Sequence, residues 1–249
     1  MNRIVLAALA LGLSVTAWAK PEPELSVGRA MSFLSSLLDK EVGLLKQDPR
    51  SKDYWLCPDN LLAVQALKAT EAGRLVAGGL KKRQHAKAGK FKALFGHRQA
   101  KSAFFETELV TVARLGDKRV RTEKESSKEV QRWNEQADLL FLAAVMEKDR
   151  AMGKARLHRA LKMWDGTGFL DKNVFHRQYY SAETLALALL AAGRLGVDLP
   201  MRSKILAQLA RQQDGSGGFA PDFGKDSKPA GLASAKTTSL VLLGLAASP

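Results

Sequence analysis

Apolar positions recur along this chain in two patterns. Over Val27 to Leu45, Asp149 to Trp164 and Pro200 to Gln213 they fall on one helical face, with charge on the other. Over Leu61 to Ala69, Ala137 to Met146, Leu185 to Ala192 and Thr238 to Ala246 they run almost unbroken. The first pattern predicts helices with one buried face, and the second predicts short helices buried on most sides. Glu106 to Leu115 reads as a further short helix, and Asp117 to Arg132 as a charged connection. Strict alternation is nearly absent, so the expected fold class is all-α, with amphipathic outer and apolar inner helices.

The order of these elements repeats. Asp165-Gly166-Thr167-Gly168-Phe169, then Ser181-Ala182-Glu183-Thr184 and an apolar run, recurs as Asp214-Gly215-Ser216-Gly217-Gly218-Phe219, then Ser234-Ala235-Lys236-Thr237 and a second apolar run. A glycine-rich turn after an outer helix thus leads through a variable loop into an inner helix, which suggests stacked helical hairpins sharing one buried layer. The variable loops gather where the inner helices begin. Chemistry is expected at that end, because helix starts present free N–H groups and the positive end of the helix dipole.

Gln212-Gln213-Asp214-Gly215-Ser216-Gly217-Gly218-Phe219 and the following Lys236 to Leu245, with Trp164 to Phe169 as a weaker copy, resemble the α/α-toroid superfamily. That superfamily contains triterpene cyclases, protein prenyltransferase β-subunits and complement-type thioester domains. Tyr54 to Leu67 fits the start of another inner helix, as in the six-hairpin glycosidases that share the barrel plan. The resemblance covers about half of the chain after its leader and implies a small or incomplete toroid. It implies no activity: the D-x-D-D acid motif of the cyclases and the Cys-Gly-Glu-Gln of the thioester domains are absent, and Cys57 lacks the histidine partner of the prenyltransferase zinc site.

The N-terminus bears on location. Arg3, the apolar run Ile4 to Val15 and Ala17-Trp18-Ala19 read as a secretory signal at residues 1–19 with an A-x-A cleavage site. The apolar run is shorter than the roughly 20 residues a spanning helix needs. The expectation is export to the periplasm or outside the cell. Residues 20–249 would then form one α/α-toroid-like domain with no transmembrane segment. Cys57 is the only cysteine, so no internal disulfide forms and a buried thiol is expected.

Charge adds a partner class. Lys and Arg total 39 against 25 Asp and Glu, giving +14 before Arg3 leaves with the signal and +13 after. No acidic residue occurs between Glu71 and Glu106, and residues 74–101 read as a basic surface insertion. Lys81, Lys82, Arg83, Lys87 and Lys90 are the candidates for binding an anionic envelope surface such as phospholipid head groups, lipopolysaccharide or acidic polysaccharide.

At the inner-helix starts, Asp59 and Glu183 are the candidate acid/base pair, and His176 is a candidate proton carrier. Tyr54, Trp55, Tyr179 and Tyr180 offer stacking faces, and Asn60, Asp138 and Lys236 offer polar contacts. Asp59, Asn60 and Ser181 also suit helix capping. No cofactor is expected, and histidine spacing supports no metal site. Three functions remain open: an exported protein binding a glycan, an apolar small molecule or a partner in a central cavity; a carbohydrate-active hydrolase or lyase on the same barrel; and a cyclase-like protein without the usual acid.

Overall fold

A computed structural model describes residues 24–83, 87, 89–96, 104–171, 174 and 178–247. The expected leader and His176 lie outside the described residues. The helices are α1 (Val27–Ser36), α2 (Cys57–Ala66), α3 (Glu71–Lys81), α4 (Ala137–Met146), α5 (Arg150–Leu161), α6 (Ala182–Leu195), α7 (Arg202–Gln212) and α8 (Ala235–Ala247). The strands are β1 (Leu38–Asp39), β2 (Leu44–Leu45), β3 (Tyr54–Leu56), β4 (Phe105–Leu115), β5 (Lys118–Glu129), β6 (Tyr180–Ser181), β7 (Asp222–Phe223) and β8 (Pro229–Ala230).

The all-α expectation is corrected: helix makes up 49 % and strand 20 %, in three sheets. The largest departure is the β4–β5 hairpin, which replaces the helix expected at Glu106 to Leu115 and the connection expected after it. Thr107, Val110, Thr111, Val112, Val120 and Thr122 supply β-branched side chains, and Gly116-Asp117 turns the chain between Leu115 and Lys118. Val120 and Thr122 are buried on one face of β5, while charged side chains fill the positions between and after them. β5 is central in its sheet, with β4 antiparallel on one side and β3 parallel on the other. β1 and β2 form a separate small hairpin, and β6, β7 and β8 a small antiparallel sheet.

The helices sort by composition. α4, α6, α8 and α2 pack side by side in that order, and α1, α3, α5 and α7 cover them from outside. α4 and α6 are buried along nearly their whole length, as their uninterrupted apolar sequences require. In α5 only Gly153, Leu157 and Ala160 are buried, and most of its charged side chains stay in solvent, while Arg156 turns in to pair with Glu147 at 2.9 Å.

Both repeat copies follow their outer helix with a turn closed by an aspartate, though the left-handed glycine stands at a different place in each. The Asp165 carboxylate accepts from the Thr167 and Gly168 amides at 3.0 and 3.1 Å, and the Asp214 carboxylate accepts from the Ser216 amide at 2.8 Å. Gly166 and Gly217 adopt φ of 104° and 93°, which an L side chain resists. Each turn then delivers a phenylalanine inward: Phe169 packs edge-on against Phe141 of α4 with centroids 5.0 Å apart, and Phe219 is buried. The aspartates and glycines of the repeat therefore build turns, and the phenylalanines anchor them to the core.

Candidate functional site

The starts of α4, α6 and α8 border a polar cavity of about 340 Å³. Each contributes the second residue of its helix: Asp138 from α4, Glu183 from α6 and Lys236 from α8. Lys90, in the short 3₁₀ helix Gly89–Phe95, closes another side, and Tyr179, Asp171 and Asp222 complete the wall. Local caps fix these positions. The Ser181 hydroxyl accepts from the Thr184 amide at the start of α6, and the Ser234 hydroxyl accepts from the Thr237 amide at the start of α8. α4 has no capping side chain of its own. Asp171 takes the role from a distant loop, accepting from the Ala137 amide at 3.0 Å.

Two ion pairs organise the cavity. Lys90 Nζ lies 2.8 Å from Asp138 Oδ2, and Lys236 Nζ lies 3.0 Å from Glu183 Oε1. The Thr237 hydroxyl donates to the same Glu183 oxygen at 3.1 Å and itself accepts from the Ser234 hydroxyl at 2.9 Å. Carboxylates at helix starts are favoured by the dipole, whereas a lysine there is opposed by it. Lys236 is held in place by Glu183 first, with Asp59 and Glu123 adding to the field that raises its pKa. Burial pushes Asp138 upward, but Lys90 and the Leu139 amide outweigh it and hold the carboxyl below its ordinary value. Its Oδ1 is buried and has no hydrogen-bond partner among the described residues.

Asp59 stands apart from the cavity wall. It is 4 % exposed, inside the first turn of α2, and burial pushes its pKa up to about 7 against the pull of Lys236. Glu183 and Glu123 push in the same direction as burial. Glu123 of β5 is itself raised by burial, with Lys90 opposing. Near neutral pH this corner thus contains a carboxyl poised between its two protonation states behind a fixed carboxylate–ammonium pair.

Of the residues singled out in the sequence, Asp138, Tyr179, Glu183, Lys236 and Lys90 meet at the cavity. Tyr54, Trp55, Asn60 and Tyr180 serve the framework. Trp55 is fully buried beneath Lys118, whose Nζ lies 5.7 Å from its ring. The Tyr54 hydroxyl donates to Gln47 at 2.6 Å. Asn60 accepts from the Leu45 amide at 2.7 Å and donates to the Leu45 and Leu56 carbonyls, tying α2 to β2. α2 begins at Cys57, so Asp59 and Asn60 lie inside the helix instead of capping one that starts at Leu61. Tyr180 is buried, stacks on Phe223 and donates to Asp165; burial pushes its hydroxyl up to about 12. Cys57 is buried, and burial raises its thiol to about 11.

The basic segment is divided as well. Residues 74–81 belong to α3, and Arg83 donates to the Gly79 and Val42 carbonyls, while Lys81, Lys82 and Lys87 are exposed. Lys90, expected at the surface, reaches into the cavity. Sequence reading missed Asp171, Asp222 and Glu123. Asp171 follows the repeat phenylalanine by two residues, and no local pattern marks it as the cap of α4. Among the described residues no three His, Cys, Asp or Glu side chains converge on a point that would hold a metal ion.

No family model matches this chain, and no curated protein or solved structure is significantly similar to it. Among the described residues no helix is long and apolar enough to cross a membrane.

Proposed function

We propose that the protein is an exported binding protein that holds a short glycan segment in the cavity at the starts of α4, α6 and α8. The observation that carries this reading is the pair of lysine–carboxylate bridges on the cavity wall, Lys90–Asp138 and Lys236–Glu183. Each bridge offers an ammonium donor beside a carboxylate acceptor. A vicinal diol matches that pair, one hydroxyl donating to the carboxylate while its neighbour accepts from the ammonium. Tyr179, 48 % exposed at the same cavity, offers a ring face to the apolar side of a sugar. The cavity volume falls at the lower end of small-ligand sites. Export is supported by the leader-like sequence before Lys20. Exposed Lys81, Lys82 and Lys87 support docking to an anionic envelope surface.

Titration calorimetry of the purified protein against a panel of neutral oligosaccharides tests the reading. Saturable binding that Lys236→Met weakens at least tenfold supports it, and the absence of binding to any member refutes it.

One observation favours a second reading, a glycan hydrolase or lyase. Asp59, pushed up to about 7 by burial, lies close enough to Glu183 to feel its charge, and Glu183 is itself ion-paired with Lys236, so two carboxyls stand in different surroundings, an arrangement that acid/base catalysis uses. Turnover of a bound oligosaccharide that is lost in both Asp59→Asn and Glu183→Gln would establish it. Binding without turnover would retain the first reading. The cavity wall is charged at Lys90, Asp138, Glu183 and Lys236, and nothing among its described residues supports the cyclase-like alternative.

A further inference from the structure

A second cleft, separate from the charged cavity, lies where α3 meets the β1–β2 hairpin and the β4–β5 turn, with a volume of about 530 Å³. Its floor is apolar: Leu38, Val42, Leu75 and Leu115 line it, and Leu75 is 46 % exposed. Its rim is cationic. Lys40, Arg74 and Lys82 stand around the floor, exposed, and none of the three is in an ion pair among the described residues. Two carboxylates share the rim. Glu41 is held by Lys118, and Glu71 alone leaves the balance positive.

The cleft is built rigidly. Gly79 of α3 packs so closely on the β1–β2 turn that a Cβ there would lie 2.0 Å from the Gly43 carbonyl oxygen. Arg83 bridges the same two elements, donating to the Gly79 carbonyl and, at 2.8 Å, to the Val42 carbonyl. Gly78 has the opposite surroundings. It lines the cleft, and a Cβ added to it meets nothing within 4 Å. The opening is therefore held by Gly79 and Arg83, while Gly78 leaves the space above the floor free.

We propose that this cleft binds a single-chain anionic amphiphile, with its acyl chain on the Leu38–Val42–Leu75–Leu115 floor and its carboxylate at Arg74 and Lys82. An apolar floor within reach of water is covered favourably by a hydrocarbon chain. Unpaired cations at its edge select a chain that ends in an anion over a neutral one. A fatty-acid carboxylate has both parts in one molecule. The site does not depend on the glycan reading, because it shares no residue with the charged cavity.

The test uses purified protein and dodecanoate below its micelle concentration, followed by calorimetry. The expected result is saturable one-to-one binding, weakened about fourfold for each methylene removed from the chain until the floor is uncovered. Gly78→Leu fills the opening and leaves every charge in place; it should reduce dodecanoate affinity at least tenfold with an unchanged circular dichroism spectrum. Arg74→Gln with Lys82→Gln should weaken binding about tenfold without touching the floor. Binding of dodecyl maltoside as tight as dodecanoate would overturn the anion-selective site, and so would wild-type affinity in either variant. Vesicle docking through Lys81, Lys82 and Lys87 is read separately, since Gly78→Leu leaves those charges intact.

Discussion

The two clefts use cations in opposite ways. In the charged cavity Lys90 and Lys236 are each bound to a carboxylate at a helix start, with buried Asp59 and partly buried Glu123 within their field. In the cleft on α3, Lys40, Arg74 and Lys82 stand around leucine and valine side chains with no ion-pair partner among the described residues. The first arrangement is fixed before any ligand arrives, and it suits a neutral molecule that inserts hydroxyls between existing charges. The second leaves a charge to be met and an apolar floor to be covered. The chain's excess of 39 basic over 25 acidic residues is therefore not one property, because part of it is neutralised inside the fold and part is open to a partner.

If this contrast holds, the charges of the cavity are coupled to folding and those of the cleft are not. The largest expected effect is at Asp59. Its folded state keeps a proton up to about pH 7, whereas an unfolded aspartate releases it near 3.8. Between those values the folded state binds more protons, so Asp59 lowers stability progressively as pH rises from about 4 to about 7. Asp59→Asn should therefore gain stability over wild type across that window, by up to about 4 kcal/mol at pH 8 and little at pH 4. Urea unfolding at both pH values measures it, and a pH-independent difference would break the contrast.

Lys236→Met removes the first partner of Glu183, which is mostly buried. The expected cost is about 2–3 kcal/mol at pH 7, read from the urea midpoint, with loss of glycan affinity. Gly78→Leu acts in the other cleft. Replacing an unhindered helical glycine by a good helix former should stabilise the fold by about 0.5–1 kcal/mol, seen as a raised melting temperature, while closing the amphiphile site. The smallest stability effect is expected from Lys81→Gln, Lys82→Gln and Lys87→Gln combined, within about 0.5 kcal/mol of wild type. The same triple variant should lose salt-sensitive binding to vesicles containing anionic phospholipid, measured by co-sedimentation, and unchanged binding would remove the docking role.

What the sequence disclosed follows physical range. The apolar runs at Ala137 to Met146 and Leu185 to Ala192 became buried helices, because a segment without a polar face has no stable place at the surface. The convergence of Asp138, Glu183 and Lys236 was legible from their common place at helix starts. The β4–β5 hairpin was not. Its charged outer face, Arg121 to Glu129, hides a strand in which only Val120 and Thr122 point inward, although Gly116-Asp117 and the β-branched neighbours were local signals for a hairpin. Asn60 and Asp171 show a different limit. Each binds backbone of a segment remote in sequence, Asn60 at Leu45 and Asp171 at Ala137, and nothing near either residue names its partner. The same applies to Lys90, whose surroundings read as surface until the 3₁₀ helix carries it to Asp138.

The glycan site stands or falls with the two lysine–carboxylate bridges. The most direct measurement is calorimetric titration of wild-type protein and of Lys236→Met with the same neutral oligosaccharides, at a pH where both are folded. Saturable binding by wild type and at least a tenfold loss in the variant are expected. Equal affinity in the two proteins, or no binding by wild type, would contradict the glycan reading.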